Sequence, residues 1–226
     1  MKKRIIVSGI LLSMMAIWAG CNQSTEIVLK PSVYGPRIPT AYFVTSGAGE
    51  SDDGIPPDPY ETFSYDLALQ EAGIEDFNVV YYTSVLPPES YEIPLEEAKA
   101  YFHHGAVLES IMAKAGGIKG QTVVAGVGRV WATDQSGKAV GGYAAEYERV
   151  YDQAVDSATA LSDAKAQLSR SLDHELSIRG LKQTGEKTFE IKSLSIGKNY
   201  GMALAALGFV NFIFPDTVSS VTAPRQ

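Results

Sequence analysis

The spacing of apolar residues predicts strands along most of the chain. Short β-branched and aromatic runs that glycine or proline interrupts are typical of strands. Such runs occur at residues 39–47, 77–85, 106–112, 122–131, 141–147, 188–196 and 202–212. The run at 77–85 continues directly into Leu86-Pro87-Pro88, where proline is expected to end the strand.

Two further segments have helical spacing. The clearer one begins near Ser157, a plausible N-cap, ends near Gly180, and carries one apolar face made of Leu161, Ala164, Leu168, Leu172 and Leu176. A shorter helix is predicted before Gly73 from the spacing of Phe63, Leu67, Leu69 and Ile74. Together these elements predict an α+β domain with a many-stranded, largely antiparallel sheet system and helices packed outside it.

Residues 1–21 resemble a bacterial lipoprotein signal peptide that ends in a lipobox. Lys2-Lys3-Arg4 precede an apolar run over 5–19 that is too short to span a membrane, and Cys21 follows. We expect Cys21 to be lipidated, residues 22–33 to be a tether, 34–215 to form the domain and 216–226 to be a tail. This predicts a membrane-anchored lipoprotein that faces the periplasm, or a cytoplasmic protein if the leader is not used.

The charge of the chain argues against nucleic acid as a partner. Outside Lys2, Lys3 and Arg4 the chain has 16 basic residues against 26 acidic ones, a net charge of −10. Binding to nucleic acid depends on neutralising phosphates, so this balance suits cationic ligands better, although acidic surfaces often serve solubility alone. Cys21 is the one cysteine, which excludes an internal disulfide.

Two weaker motifs predict no site. His103 and His104 are adjacent, so on a strand they would point to opposite sides, and with three histidines in the chain we expect no metal site. Gly126-Val127-Gly128 lacks the third glycine of a dinucleotide-binding fingerprint. A strand runs through these glycines, so we interpret them as positions of close packing.

A set of longer motifs is more specific in combination than any one of them alone. The motifs are GESDDG at 49–54, ETF at 61–63, YDLAL at 65–69, NVVYYTSVLPPE at 78–89, HGAVLE at 104–109, GGYAAEY at 141–147, HEL at 174–176 and ALGF at 206–209. In this order and at these distances the chain resembles the pyruvoyl-dependent arginine decarboxylases, in particular the chlamydial type. The resemblance covers about residues 34–214.

The resemblance implies that the protein cuts its own Thr83–Ser84 bond. The β chain would then end at Thr83, and the α chain would begin with a covalently bound pyruvoyl group made from Ser84. Decarboxylation needs an acceptor for the electrons that remain when CO₂ departs, and this carbonyl would provide it through a Schiff base with L-arginine, giving agmatine. We therefore expect neither pyridoxal phosphate nor a metal as cofactor. Without its neighbours, Thr83-Ser84 would be interpreted as a strand end.

Three more residues match functional positions of the family. Asn78 matches an asparagine that hydrogen-bonds near the pyruvoyl carbonyl, and on one regular strand it would face the same side as Ser84. Glu146 matches the proton donor, and apolar Ala144-Ala145 before it should raise its pKa. Asp66 matches the aspartate that binds the substrate guanidinium.

The resemblance also implies a four-layer αββα sandwich and a trimer of αβ protomers with each site near a subunit boundary. Two alternatives stay open at this point. One is a pyruvoyl decarboxylase of histidine or another cationic amino acid, and the other is a non-enzymatic lipoprotein binding module on the same fold.

Overall fold

The computed structural model describes residues 36–57 and 62–214. Within these residues the chain forms the following elements, in order: β1 (Ile38–Pro39), β2 (Ala41–Ser51), α1 (Thr62–Ala72), β3 (Asn78–Tyr81), β4 (Val85–Leu86), β5 (Tyr91–Glu92), α2 (Leu95–Ala98), a 3₁₀ turn (Lys99–Tyr101), β6 (Val107–Ile118), β7 (Thr122–Thr133), β8 (Ala139–Tyr151), α3 (Ser157–Ile178), β9 (Lys182–Ser195), β10 (Tyr200–Phe209) and β11 (Phe212–Ile213). The predicted α+β class is confirmed. The predicted signal peptide with Cys21, the tether at 22–33 and the tail at 216–226 lie outside the described residues.

The longer strands form two sheets. Five strands pair in the order β3-β6-β10-β2-β5, and four pair in the order β4-β8-β7-β9. Strand β10 pairs antiparallel with both β2 and β6, and β7 pairs antiparallel with both β8 and β9. Strands β1 and β11 form a separate pair near the two ends of the described chain. No helix among the described residues is long and apolar enough to cross a membrane.

Strand β10 is apolar at every position because protein covers both of its faces. Met202, Leu204 and Ala206 pack in a cluster with α1 residues on one face. The alternate residues of β10 pack with residues of the four-stranded sheet on the other face, in clusters that include Ala203, Ala205, Leu207 and Phe209. The two sheets therefore face each other, and α1 lies on the outer face of the five-stranded sheet.

Helix α3 covers the outer face of the four-stranded sheet. Its residues Leu168, Leu172 and Leu176 are buried with residues of β7 and β8, as their spacing predicted. Gly126 and Gly128 lie beneath this helix, and a Cβ at Gly126 would meet Leu168 Cδ1 at 3.0 Å. The interpretation of these glycines as close-packing positions is confirmed.

Three local predictions were wrong. The predicted strand at 77–85 is two strands in different sheets, since β3 ends at Tyr81 and β4 begins at Val85. The N-cap of α3 is Asp156, whose side chain accepts a hydrogen bond from the Thr159 N–H (3.0 Å), and Ser157 is already the first helical residue. Strand β2 continues through Ser51, whereas the predicted strand ended at residue 47.

Candidate active site

The Thr83–Ser84 bond lies where the chain crosses from one sheet to the other. The Tyr82 N–H donates to Ser110 O (2.8 Å), one residue beyond the end of β3. The Ala144 N–H donates to Ser84 O (2.9 Å), one residue before β4. The scissile bond is therefore held on one side by the five-stranded sheet and on the other by the four-stranded sheet.

The Thr83 carbonyl accepts a hydrogen bond at the centre of this crossing. The Val85 N–H donates to Thr83 O (3.0 Å), which closes a three-residue turn around Ser84. Such a donor stabilises the negative charge that develops on a carbonyl oxygen when a nucleophile adds to its carbon. Thr83 is exposed and Ser84 is half-buried, so this carbonyl is both polarised and accessible.

Strand pairing brings Ser84 and Glu146 together, although they are far apart in sequence. Strand β4 pairs antiparallel with β8, with Val85 opposite Tyr143, which places Ser84 opposite Ala144. Glu146 lies two residues further along β8 and shares that face, as a diagonal cross-strand neighbour of Ser84. The Ser84 hydroxyl donates to Glu146 Oε2 (2.9 Å) and lies 3.2 Å from Oε1. This arrangement lets the carboxylate accept the serine proton.

The surroundings of Glu146 raise the pKa of its carboxyl. Partial burial of the carboxyl is the largest cause, even though the residue keeps an exposed surface in the single chain. The hydrogen bond from Ser84 opposes this effect, whereas the negative charges of Glu148 and Glu175 add to it. A raised pKa is the direction that the apolar neighbours of Glu146 predicted, and it keeps the acid form present at higher pH.

Sequence reasoning missed Glu148, which lies on the same face of β8 as Glu146. Its Oε1 accepts a hydrogen bond from the Lys114 N–H (2.8 Å), so the side chain connects β8 with β6 of the other sheet. The signal was present in the alternation Glu146-Tyr147-Glu148, because alternate residues of a strand share a face. Glu146 and Glu148 therefore place two carboxylates on the face of β8 next to Ser84, which favours a cationic ligand.

The single chain does not bring Asn78 and Asp66 into the hydrogen-bonded group of Ser84 and Glu146. Asn78 begins β3, and its side-chain amide donates to Gly105 O (2.9 Å). The inference that Asn78 and Ser84 share one side of a strand was wrong, because that strand ends between them. Asp66 is exposed on α1, and this helix covers the face of the five-stranded sheet that points away from Glu146.

Within residues 36–57 and 62–214, no group of three or more His, Cys, Asp or Glu side chains is arranged to hold a metal ion. Lipidation of Cys21 stays a prediction from the sequence.

Comparisons with known proteins agree on one family. Residues 41–214 match the family model described as pyruvoyl-dependent arginine decarboxylase. The chain is 46% identical over 190 residues to the pyruvoyl-dependent arginine decarboxylase AaxB of Chlamydia muridarum, which covers 82% of this chain and 97% of that protein. The corresponding protein of Chlamydia abortus is 45% identical over 82% of this chain and 98% of its own length. Pyruvoyl-dependent arginine decarboxylase 2 of Archaeoglobus fulgidus is 30% identical over 76% of this chain and 98% of its own length.

Proposed function

The chain belongs to the pyruvoyl-dependent arginine decarboxylase family, and from this premise we propose that it cleaves its own Thr83–Ser84 bond and then converts L-arginine into agmatine and CO₂. One observation carries the proposal: the Ser84 hydroxyl is hydrogen-bonded to Glu146 directly beside the polarised Thr83 carbonyl. The family accounts for the pyruvoyl group and the substrate. The residues of this chain account for how the group can be made.

Self-cleavage follows from the positions of these groups. Ser84 Oγ adds to the carbonyl carbon of Thr83 while its proton passes to Glu146, and the Val85 N–H stabilises the oxyanion. When the oxyanion collapses, the Thr83–Ser84 C–N bond breaks and the nitrogen takes a proton. The product is an ester between Thr83 and the Ser84 side chain.

The ester then loses Thr83 by elimination. Removal of the Ser84 Cα proton expels Thr83 as a carboxylate and leaves a double bond between Cα and Cβ of residue 84. Water then replaces the nitrogen, which leaves as ammonia, and the new N-terminus is a ketone next to the residue 84 carbonyl. The balance requires only water besides the chain itself.

Glu146 has a second task in decarboxylation. The pyruvoyl carbonyl supplies the acceptor for the electrons of the lost carboxylate. A proton must then replace CO₂ on the substrate, and the raised pKa of Glu146 keeps a proton available close to residue 84. Asp66 is our proposed partner of the substrate guanidinium, since a carboxylate can bind that group with two hydrogen bonds.

The arrangement of one chain supports a site completed by a second copy. Asp66 lies on the outer face of α1 and Asn78 on an edge strand, both outside the group around Ser84. In a ring of identical protomers, a different surface of the neighbour meets each site. We therefore propose the trimer of αβ protomers that the family resemblance implies. Packing of α1 and α3 on opposite outer faces of the paired sheets supports the four-layer αββα sandwich.

Mixing two inactive variants tests the shared site. Asp66→Ala and Glu146→Gln chains are each expected to lack activity, but trimers that contain both chains should show about a third of the wild-type activity, because one interface in three of such a trimer joins an intact Asp66 to an intact Glu146. Arginine-dependent CO₂ release from the co-purified, differently tagged chains measures this. No recovery in verified mixed trimers would contradict the placement of Asp66 across the subunit boundary.

A panel of amino acids tests the substrate. The purified full chain should release CO₂ from arginine far faster than from histidine, lysine or ornithine, since a flat guanidinium fits a carboxylate partner best. Release from histidine but not arginine would establish the alternative decarboxylase. A single unbroken band on a denaturing gel, with no CO₂ release from any substrate, would favour the binding module.

A further inference from the structure

A buried carboxylate lies next to residues 82–84, the crossing segment that joins β3 to β4. It takes no part in the proposed self-cleavage or decarboxylation. Glu109 on β6 is only 5% exposed. The Tyr82 hydroxyl donates to its Oε2 (2.7 Å), and Arg37 forms an ion pair with its Oε1. Burial of a carboxylate is unfavourable unless partners of this kind compensate it, so the pair of contacts calls for an explanation.

Glu109 restrains Tyr82, the residue directly before Thr83. The Tyr82 ring packs 5.6 Å from the Phe209 ring, between the two sheets, and its N–H donates to Ser110 O. With the hydroxyl bound to Glu109, the backbone, the ring and the tip of Tyr82 all have fixed partners. The orientation of the Thr83 carbonyl depends on ψ of Tyr82 and on φ and ψ of Thr83, so a fixed Tyr82 restricts it.

Arg37 connects this contact to the ends of the described chain. Its guanidinium lies 4.8 Å from the centre of the Phe212 ring, and it directly precedes β1, which pairs with β11. Arg37 therefore contacts the Glu109 oxygen that does not bind Tyr82. The guanidinium and the Tyr82 hydroxyl thus give each oxygen of the Glu109 carboxyl a defined donor.

We propose that Tyr82, Glu109 and Arg37 are positioning residues for self-cleavage: they hold the acyl side of the Thr83–Ser84 bond in the orientation that Ser84 Oγ attacks. The other side of the bond is already held by the Ala144 N–H and by Glu146. None of the three residues touches the reacting atoms. This inference rests on the proposed self-cleavage and adds the device that orients it.

Cleavage kinetics test the proposal. The full-length chain is synthesised in a cell-free system, and the conversion of one band into two is followed with time on a denaturing gel. We expect Tyr82→Phe to cleave about tenfold more slowly, because the loss of one orienting contact reduces the fraction of attack-ready conformers. Glu109→Leu should be at least as slow, whereas Glu109→Gln, which keeps an acceptor for Tyr82, should lie closer to the wild type.

A double variant separates positioning from general stabilisation. Tyr82→Phe combined with Glu109→Leu should cleave no more slowly than Glu109→Leu alone, because both changes break the same contact. Two controls should cleave at the wild-type rate: Tyr101→Phe, at an exposed tyrosine, and Ile196→Val, which removes one buried methyl group far from the crossing segment. Thermal midpoints of all variants are compared in the uncleaved Ser84→Ala background.

The outcomes are distinct. A wild-type cleavage rate in Tyr82→Phe, or an equal slowing in Ile196→Val at the same thermal midpoint, would overturn the positioning role and leave self-cleavage intact. An uncleaved wild-type chain would overturn the proposed function and this inference together.

Discussion

Ser84→Ala is expected to leave the chain as one unbroken polypeptide with no decarboxylase activity. Alanine has no hydroxyl to add to the Thr83 carbonyl, so neither the ester nor the pyruvoyl group can form. Without that group the electrons of the departing carboxylate have no acceptor, and the loss should approach the whole rate enhancement, which is ~10⁶-fold or more for typical enzymes. A denaturing gel and arginine-dependent CO₂ release measure the two effects on one sample.

Ser90→Ala is the matched control. Ser90 lies six positions further along, and its hydroxyl donates to Pro87 O (2.7 Å) in the turn after β4. This variant loses a structural hydrogen bond without losing the nucleophile, so it should still give two bands and release CO₂. Cleavage at the same bond in Ser84→Ala would exclude Ser84 as the nucleophile.

Glu146→Gln is expected to lower the decarboxylation rate of cleaved enzyme by ~10²–10⁴-fold, the usual contribution of a positioned acid or base. Glutamine has the same shape but cannot give a proton to the substrate. The same change should slow self-cleavage, because the amide can accept the Ser84 hydrogen bond but cannot take the proton. The turnover number of the isolated cleaved fraction measures the first effect, and the time course of band conversion measures the second.

The decarboxylation rate should depend on pH through the protonation of Glu146. If the acid form of Glu146 gives the proton, the wild-type rate falls as pH rises through the raised pKa of Glu146, and this fall disappears in Glu146→Gln. Glu148→Gln removes a neighbouring negative charge that raises this pKa, so the fall should move to lower pH. Glu186→Gln, at an exposed position of β9, should leave the profile unchanged. A Glu146→Gln turnover number close to that of the wild type would contradict the role.

Sheet membership is the main feature that the sequence could not predict. The β-branched and aromatic residues at 77–85 correctly indicate extended chain on both sides of the scissile bond. They do not show that the chain leaves one sheet at Tyr81 and joins another at Val85, because pairing with β6 and β8 depends on residues far along the chain. The position of the scissile bond between the sheets therefore became visible only in the structure.

Helix α1 shows a second limit. Its existence was predicted correctly, but Phe63 and Leu67, two of the residues whose spacing predicted the helix, are 46% and 43% exposed. Ser64 and Ala68 are buried instead, because the helix lies against the glycines of β2. A Cβ at Gly49 would come within 2.7 Å of Ala68 N, so only small residues fit between helix and sheet. Hydrophobic periodicity favours large apolar residues and does not detect such close backbone contacts.

Within the site, Thr83, Ser84 and Glu146 were predicted from the order and spacing of the sequence motifs. The structure places these three residues together, although nothing in a Thr-Ser dipeptide alone would suggest it. Glu148 and the contact between Tyr82 and Glu109 were not predicted. Both depend on strand register, which decides the neighbours of each side chain across two sheets.

The intact mass of the smaller and larger fragments tests the central claim most directly. Purified wild-type protein should contain a fragment that ends at Thr83 with a free carboxylate. A second fragment should begin at residue 84 and be lighter, by one molecule of ammonia, than a chain that begins with serine. A single uncleaved mass, or a second fragment with the mass expected for N-terminal serine, would contradict the formation of a pyruvoyl group from Ser84.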